Sequence, residues 1–374
     1  MKVDKTKWEY KKLGDICQIQ TGKLDANAKV ENGQYPFFTC DYKPYRIDKY
    51  AFDTEAILIS GNGSLVGHVN YYNGKFNAYQ RTYVLTQFKL FYIPYLIIYL
   101  KRNLRPYIIQ NKKGGCIPYI TLPILKNFKI LYPSLYEQRD IAAELDAVQK
   151  MIEGYKAQLA DLDTLGQSIF LDMFGDVVNN ERKWNFVKFG SLTSSINYGT
   201  SAPAVDGGKY KYLRMGNITD NGHLDFQDIK YIDIPDNEIA KYIVHKGDIL
   251  FNRTNSREKV GKTACFMEEE EMIIAGYIIR IRLNEEKSLP LYIAQAFNTP
   301  EMKSYLRRLA RGSVGQANIN SKELSDIKIS VPPLPLQQQF AERVEAIERQ
   351  KELLQAQLAE AQTLMAERMQ YYFD

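Results

Sequence analysis

Residues 251–262 read FNRTNSREKVGK. They follow a strand-like run, DILF (248–251), and gather Asn252, Arg253, Thr254, Asn255, Ser256, Arg257, Lys259 and Lys262 in one predicted loop. Arginine can donate two hydrogen bonds to O6 and N7 of guanine, asparagine can bond adenine, and lysine and serine can hold phosphates. The chemistry on offer is recognition of base edges and backbone, with no bond made or broken.

Other segments carry the same donor types. CDYKPYRIDKY (40–50) sets Lys43, Tyr45 and Arg46 among aromatic residues. ISGNGSLVGHV (59–69), expected to match the 251–262 loop, supplies Asn62 and Ser64, with Gln80 and Arg81 downstream. YLRMGNIT (212–219) supplies Arg214 and Asn217. Lys112, Lys113, Arg307, Arg308 and Arg311 are candidate phosphate clamps, and Gln316 lies in the glycine-containing stretch ARGSVGQANIN (310–320). Any one of these reads equally as a solvated loop; their joint presence in both halves of the chain is the signal.

Catalytic patterns fail on their own requirements. SREKVGKT (256–263) has Ser256 where a phosphate-binding loop needs its first glycine. GNGSLVG (61–67) has Val66 where a dinucleotide fingerprint needs its third glycine, and a tight turn accounts for it better. Asp236 with Glu285 and Glu286 has no constrained spacing, and no Asx-Pro-Pro-aromatic tetrapeptide of an amino-methyltransferase occurs. Four scattered cysteines and three histidines suggest no metal site.

The elements that must position these loops come twice. A shift of 199 aligns Leu125–Ile130 with Leu324–Ile329, Pro133 with Pro332, Gln138 with Gln337, and Phe174 with Phe373. A shift of 176 aligns Trp8-(x5)-Gly14 with Trp184-(x5)-Gly190. The change of shift implies insertions in the second copy, which belong in surface loops.

Each copy ends in a long helical pattern. Ile141, Leu145, Val148, Ile152, Tyr155, Leu159, Leu162, Gly166, Ile169 and Met173 recur at alternating steps of four and three, a heptad seam. The second seam runs Phe340, Val344, Ile347, Lys351, Leu354, Leu358, Ala361, Met365, Arg368 and Tyr372, with Leu353, Leu364 and Met369 as neighbours that could share its burial. A rod of this length spans about 55 Å and cannot bury its own stripe. Two rods in one chain most simply bury each other and, by their connections, run antiparallel; the other reading is pairing with separate chains. The expected organisation is residues 1–137 as a first globule, 138–176 as a first spacer helix, 177–335 as a second globule and 336–374 as a second helix. Strand-like runs at 56–60, 82–85, 248–251 and 277–283, with helical stretches near 93–111 and 290–311, make each globule α+β.

The chain has 374 residues and a net charge of +5, unevenly spread: +10, −5, +3 and −3 over those four segments. Basic globules alternate with acidic rods, which is compatible with a polyanionic partner. No apolar run reaches the 18 residues of a membrane span, and the opening MKVDKTKWEY lacks the apolar core of a signal peptide, so a cytoplasmic location is expected. The 27 tyrosines suit interfaces as well as cores.

Trp-(x5)-Gly opening each globule, GSVGQANIN, PPLPLQQQFAERV leading into a long helix, PSLYEQRDIAAEL and MFGD (173–176) together resemble the specificity subunit of type I restriction–modification systems. The resemblance covers nearly the whole chain. It implies two similar target-recognition domains joined by two long antiparallel coiled-coil helices with pseudo-twofold symmetry, each domain reading half of a split, asymmetric site on double-stranded DNA. It implies two methyltransferase subunits docked on the helices and allows for two restriction subunits. It also implies that the chain is not itself an enzyme and holds no cofactor, S-adenosylmethionine and ATP with Mg²⁺ being bound by partners. The first copy departs from the pattern: GGCIPYI stands where the second has GSVGQANI, and Glu137 where the second has Leu336. The competing reading is a coiled-coil scaffold with two protein-binding domains.

Overall fold

The computed structural model describes residues 4–111, 118–312 and 316–374. The chain forms two compact units, one from residues 1–154 with 357–374, the other from residues 155–356. Both are α+β, and each of two 40-residue helices, Leu135–Phe174 and Leu334–Phe373, contributes to both units.

In the first unit a six-stranded sheet runs in the order Gln18–Thr21, Thr82–Thr86, Phe52–Ser60, Val69–Ala78, Tyr35–Phe38, Tyr45–Ile47. Two of its strands, Phe52–Ser60 and Thr82–Thr86, contain the runs expected at 56–60 and 82–85; the other four were not expected from the sequence. The helix Ile93–Asn111 buries Tyr95, Leu96, Tyr99, Leu100, Leu104 and Ile108 in the same core as Ile57, Ile59 and Leu85 of the sheet. In the second unit one four-stranded sheet runs Thr193–Tyr198, Ile278–Leu283, Ile249–Asn252, Thr263–Cys265. A further sheet runs Lys230–Ile232, Tyr210–Leu213, Met272–Ile274, Ile243–Val244. The helical stretch expected near 290–311 is two helices, Pro290–Asn298 and Pro300–Leu309. Pro300 cannot continue a helix from upstream, and Thr299 caps the new one by accepting from the Met302 amide.

The repeat is visible in hydrogen bonds. Gln138 and Gln337 are both fully buried. Gln138 accepts from the Tyr92 amide at 2.7 Å and donates to the Pro133 carbonyl at 2.9 Å. Gln337 accepts from the Leu289 amide at 2.8 Å and donates to the Pro332 carbonyl at 2.8 Å. Each glutamine thus staples its helix start to the residue that leads into an earlier helix of its unit, Ile93–Asn111 in one copy and Pro290–Asn298 in the other. Tyr95 donates to the Leu131 carbonyl as Tyr292 does to that of Ser330. The shared glycines have a steric cause: a Cβ on Gly14 would lie 2.9 Å from Lys126 Cβ, and one on Gly190 2.9 Å from Ser325 Cβ.

The long helices are antiparallel. In the first unit Ile141 and Leu145, early in one helix, share a core with Tyr372 and Phe373, late in the other. In the second unit Phe170 and Phe174 pack on Phe340, at ring separations of 5.4 Å each. Every expected seam position is buried or half-buried. Leu353 and Leu364, expected as neighbours that could share the burial, are 61% and 36% exposed. They sit off the stripe that Lys351, Leu354, Ala361 and Met365 already fill.

Candidate nucleic-acid interface

In the second unit the loop after Ile249–Asn252 folds onto the second glycine-containing stretch. Thr254 pairs with Asn318 and Asn255 with Ala317, and the Ile319 amide donates to the Arg253 carbonyl at 2.9 Å. Arg311 and Asn318 exchange backbone hydrogen bonds. The fold therefore brings Arg253, Thr254, Asn255, Arg311 and Gln316 onto one two-loop platform, with Ser256, Arg257 and Lys259 in the turn that continues from it. Arg257, Lys259, Arg311 and Gln316 are exposed, and Ser256 is half-buried.

Arg253 is held from three sides. Its guanidinium lies 4.7 Å from the centre of the Tyr198 ring and donates to the Gly276 carbonyl and to Asn318 Oδ1, each at 3.3 Å. Tyr198 Oη bonds in turn to Ser321 Oγ at 2.9 Å. Arg311 Nε sits 2.8 Å from Glu323 Oε1 while its side chain stays 84% exposed. Arg308 bonds Ser304 on its own helix.

Four expected surface residues are buried, the first being Asn252, which is 0% exposed at the end of its strand. Thr254 is 5% exposed beneath the platform. Asn217 closes its own turn, accepting from the Arg214 amide and donating to the Asp225 carbonyl. Lys262 is 9% exposed and lies 3.6 Å from Asp220 Oδ1; burial lowers its pKa more than Asp220 restores it. Arg214 is paired to Asp228 at 2.8 Å. Hydrogen bonds from Lys230 and Arg214 hold the Asp228 carboxyl below its ordinary range.

The first unit builds the same platform backbone. Asn62 pairs with Tyr119, and the Ile120 amide donates to the Gly61 carbonyl at 3.0 Å, as Ile319 does to Arg253. Gly67 and Gly261 close the two loops at φ of 82° and 86°. A Cβ there would meet Ile108 Cδ1 at 2.9 Å or Leu306 Cδ1 at 2.6 Å. Gly61 occupies the place of Arg253, so one scaffold presents different side chains. Ser64, Lys43, Tyr45, Gln80 and Arg81 are exposed, and Asn62 is half-buried. Arg46 is spent on the carbonyls of Gly33 and Gln34 at 2.9 and 2.8 Å. Lys29 lies over the Tyr45 ring at 4.1 Å. Tyr42 packs on His68 at 4.9 Å, and the Arg81 carbonyl accepts from Gly61, so both flanking segments reach this loop. Lys112 and Lys113 fall outside the described residues.

Sequence reading missed Tyr198 and Asn318, which hold Arg253, because no linear spacing links positions so far apart. It also left out His68, Lys101 and Arg105 as binding residues, although the i, i+4 pair Lys101 and Arg105 was visible on a predicted helix. Among the described residues no helix is long and apolar enough to cross a membrane, and no cluster of His, Cys, Asp or Glu could hold a metal ion.

A family model described as type I restriction modification DNA specificity domain matches residues 5–162 and again 181–363. The chain belongs to this family. It is a type I specificity subunit with two target-recognition domains, and each of the two matched segments also takes in part of a long helix. The EcoDI specificity subunit of Escherichia coli is 28% identical, covering 91% of this chain and 81% of that one. The EcoKI specificity subunit of E. coli K12 is 25% identical over 85% of this chain and 73% of its own length. A crystal structure of a type I S subunit from M. genitalium shares the specificity-subunit fold over 100% of this chain and 98% of its own, with a TM-score of 0.62 at 16% identity. A chain from a study of type I system assembly and conformational transition matches 98% of this chain and 97% of its own, at a TM-score of 0.57 and 18% identity.

Proposed function

We propose that this chain is the DNA-reading subunit of a type I restriction–modification complex, each unit reading one half of a split, asymmetric duplex site. The observation that carries the reading is the twice-built platform: two paired loops with matching backbone hydrogen bonds and different exposed side chains around them, Ser64, Gln80 and Arg81 in the first unit against Arg257, Lys259 and Arg311 in the second. A common scaffold with exchanged tips suits two readers of unlike sequence. Exposed lysines and arginines fix the backbone, and a few side chains meet base edges.

In this reading the two helices set the gap between half-sites and dock two methyltransferase subunits, with two restriction subunits joining where cleavage is required. The chain itself performs no chemistry. S-adenosylmethionine, ATP and Mg²⁺ belong to the partners, and the complex acts in the cytoplasm. The test is to map methylated adenines in a genome carrying this chain and its methyltransferase. A split, asymmetric site that changes in one half when one unit is exchanged supports the reading. Methylation independent of the chain, or binding of the complex to DNA without steep salt dependence, overturns it.

A further inference from the structure

The first unit holds an open cleft of about 430 Å³ beside its platform loop, lined by Tyr42, Leu65, His68, Asn70, Lys101 and Arg105 among others. Lys101 and Arg105 project from one face of the helix Ile93–Asn111 and are exposed. Arg105 donates to the Ser64 carbonyl at 3.3 Å, which ties it to the loop carrying Asn62 and Ser64. Arg102 is paired with Asp374 at 3.2 Å, whereas neither Lys101 nor Arg105 has a carboxylate partner among the described residues. His68 Nε2 is buried with no hydrogen-bond partner among the described residues. The adjacent carboxylate, Asp41, is engaged by Thr39 and Tyr45.

The second copy shows what this place accepts. The Ser60 amide donates to the His68 carbonyl, and the Asn252 amide to that of Lys262, so Lys262 stands where His68 does. Ile108 and Leu306 fill the same position against the loop glycines, which puts Lys303 where Arg105 is. In this copy the chain supplies its own anion. Asp220 lies 3.6 Å from Lys262 Nζ through its carboxylate and accepts from Lys303 through its backbone carbonyl.

We propose that the Tyr42–His68–Lys101–Arg105 cleft of the first unit takes a backbone phosphate of duplex DNA, in the place that Asp220 fills in the second. The assignment rests on the DNA-reading role above and deepens it: the two domains grip the backbone unequally. Lys101 and Arg105 supply the charge, and a His68 N–H the directed hydrogen bond. A phosphodiester carries one negative charge, as the Asp220 carboxylate does.

The experiment uses the chain co-purified with its methyltransferase and a labelled duplex, titrated across salt concentrations. Lys101→Gln combined with Arg105→Gln lowers the slope of log affinity against log salt by about one, the contribution of one phosphate. Asp220→Asn raises it by a similar amount by freeing Lys262, the cation that the Asp220 carboxylate faces. Both variants alter side chains that reach the surface, and their melting temperatures check that the fold survives. A parent complex that binds duplex while the double variant keeps its slope overturns this assignment and leaves the DNA-reading role standing. A complex that binds no duplex overturns both. Inorganic phosphate, added at constant ionic strength, is the second arm. Saturable movement of the His68 imidazole NMR signals without any change of duplex slope would make this a small-anion site and overturn the DNA assignment.

Discussion

Lys351 Nζ lies 2.6 Å from Asp163 Oδ1 within the second unit, a cation set inside an apolar helix seam and only 7% exposed. Glu348 joins at 2.9 Å, and His223 Nε2 lies 3.4 Å away. A buried charge in a seam contributes little net stability but penalises every other register, because a slipped helix would bury it unpaired. Lys351→Met strands two carboxylates and is expected to cost about 2 kcal/mol, less than a fully buried pair because Asp163 is 38% exposed. Adding Asp163→Leu restores the melting temperature. Thermal unfolding of the single and double variants checks both outcomes.

The same cluster predicts a response to acid. Burial, and then the Lys351 charge, lower the His223 pKa, more than Glu348 and Asp163 raise it. The folded chain therefore holds this imidazole neutral where the unfolded chain takes a proton near the ordinary value of about 6.5. Stability is unaffected above that value and falls as pH drops below it. Melting temperatures between pH 7.5 and 5.5 are expected to decline, and His223→Gln to flatten that decline. Equal slopes in both proteins would remove His223 from the account.

Trp8 and Trp184 differ in one partner. Trp8 Nε1 donates to Glu137 Oε1 at 3.2 Å, while Trp184 Nε1 is buried with no partner among the described residues. Leu336 occupies the position of Glu137 in the second copy. Leu336→Glu offers the missing acceptor near a helix start, where a carboxylate is also favoured. A gain of about 1 kcal/mol in the second unit is expected, read by chemical denaturation.

Arg257 and Arg253 occupy one loop in different ways: Arg257 is exposed, whereas Arg253 is packed on Tyr198. Arg257→Ala is expected to relax the sequence read by one half-site, with a loss of about 1–3 kcal/mol if it contacts a guanine. Arg253→Ala loosens the platform and weakens that half for all sequences. Methylation of libraries randomised in each half separates these outcomes; equal damage to both halves would count against the loop.

Removing one heptad from each long helix, in register, takes out about 10.5 Å of rise. At about 3.4 Å per base pair, the gap between half-sites should shorten by roughly three base pairs. Methylation spacing in such a variant measures it, and an unchanged gap would refute a ruler made of helix.

Much of the fold could be read in advance because its strongest signals are periodic. Heptad steps gave the two helices, and paired landmarks such as Gln138 and Gln337 gave the duplication. The site was less legible. Lys262 looks in sequence like its exposed neighbour Lys259, and only the arrival of Asp220, 42 positions upstream, shows it to be enclosed. Arg253 was visible, but its seat on Tyr198 depends on a strand pairing that no local pattern encodes. Leu353 and Leu364 misled because a heptad count tolerates a neighbour that the helix's angular period turns toward water.

Tyr372 and Phe373 complete the apolar core around Tyr95, Tyr99 and Leu145. That arrangement has a consequence for biosynthesis. The ribosome makes residue 154 about 200 residues before it makes the segment from 357 onward, an interval of roughly 10–40 s at ordinary elongation rates. Through that interval the first unit waits with an aromatic socket unfilled, and the second unit can mature before it. A nonsense or frameshift lesion late in the reading frame would therefore cripple the unit whose first residues are made before the other's.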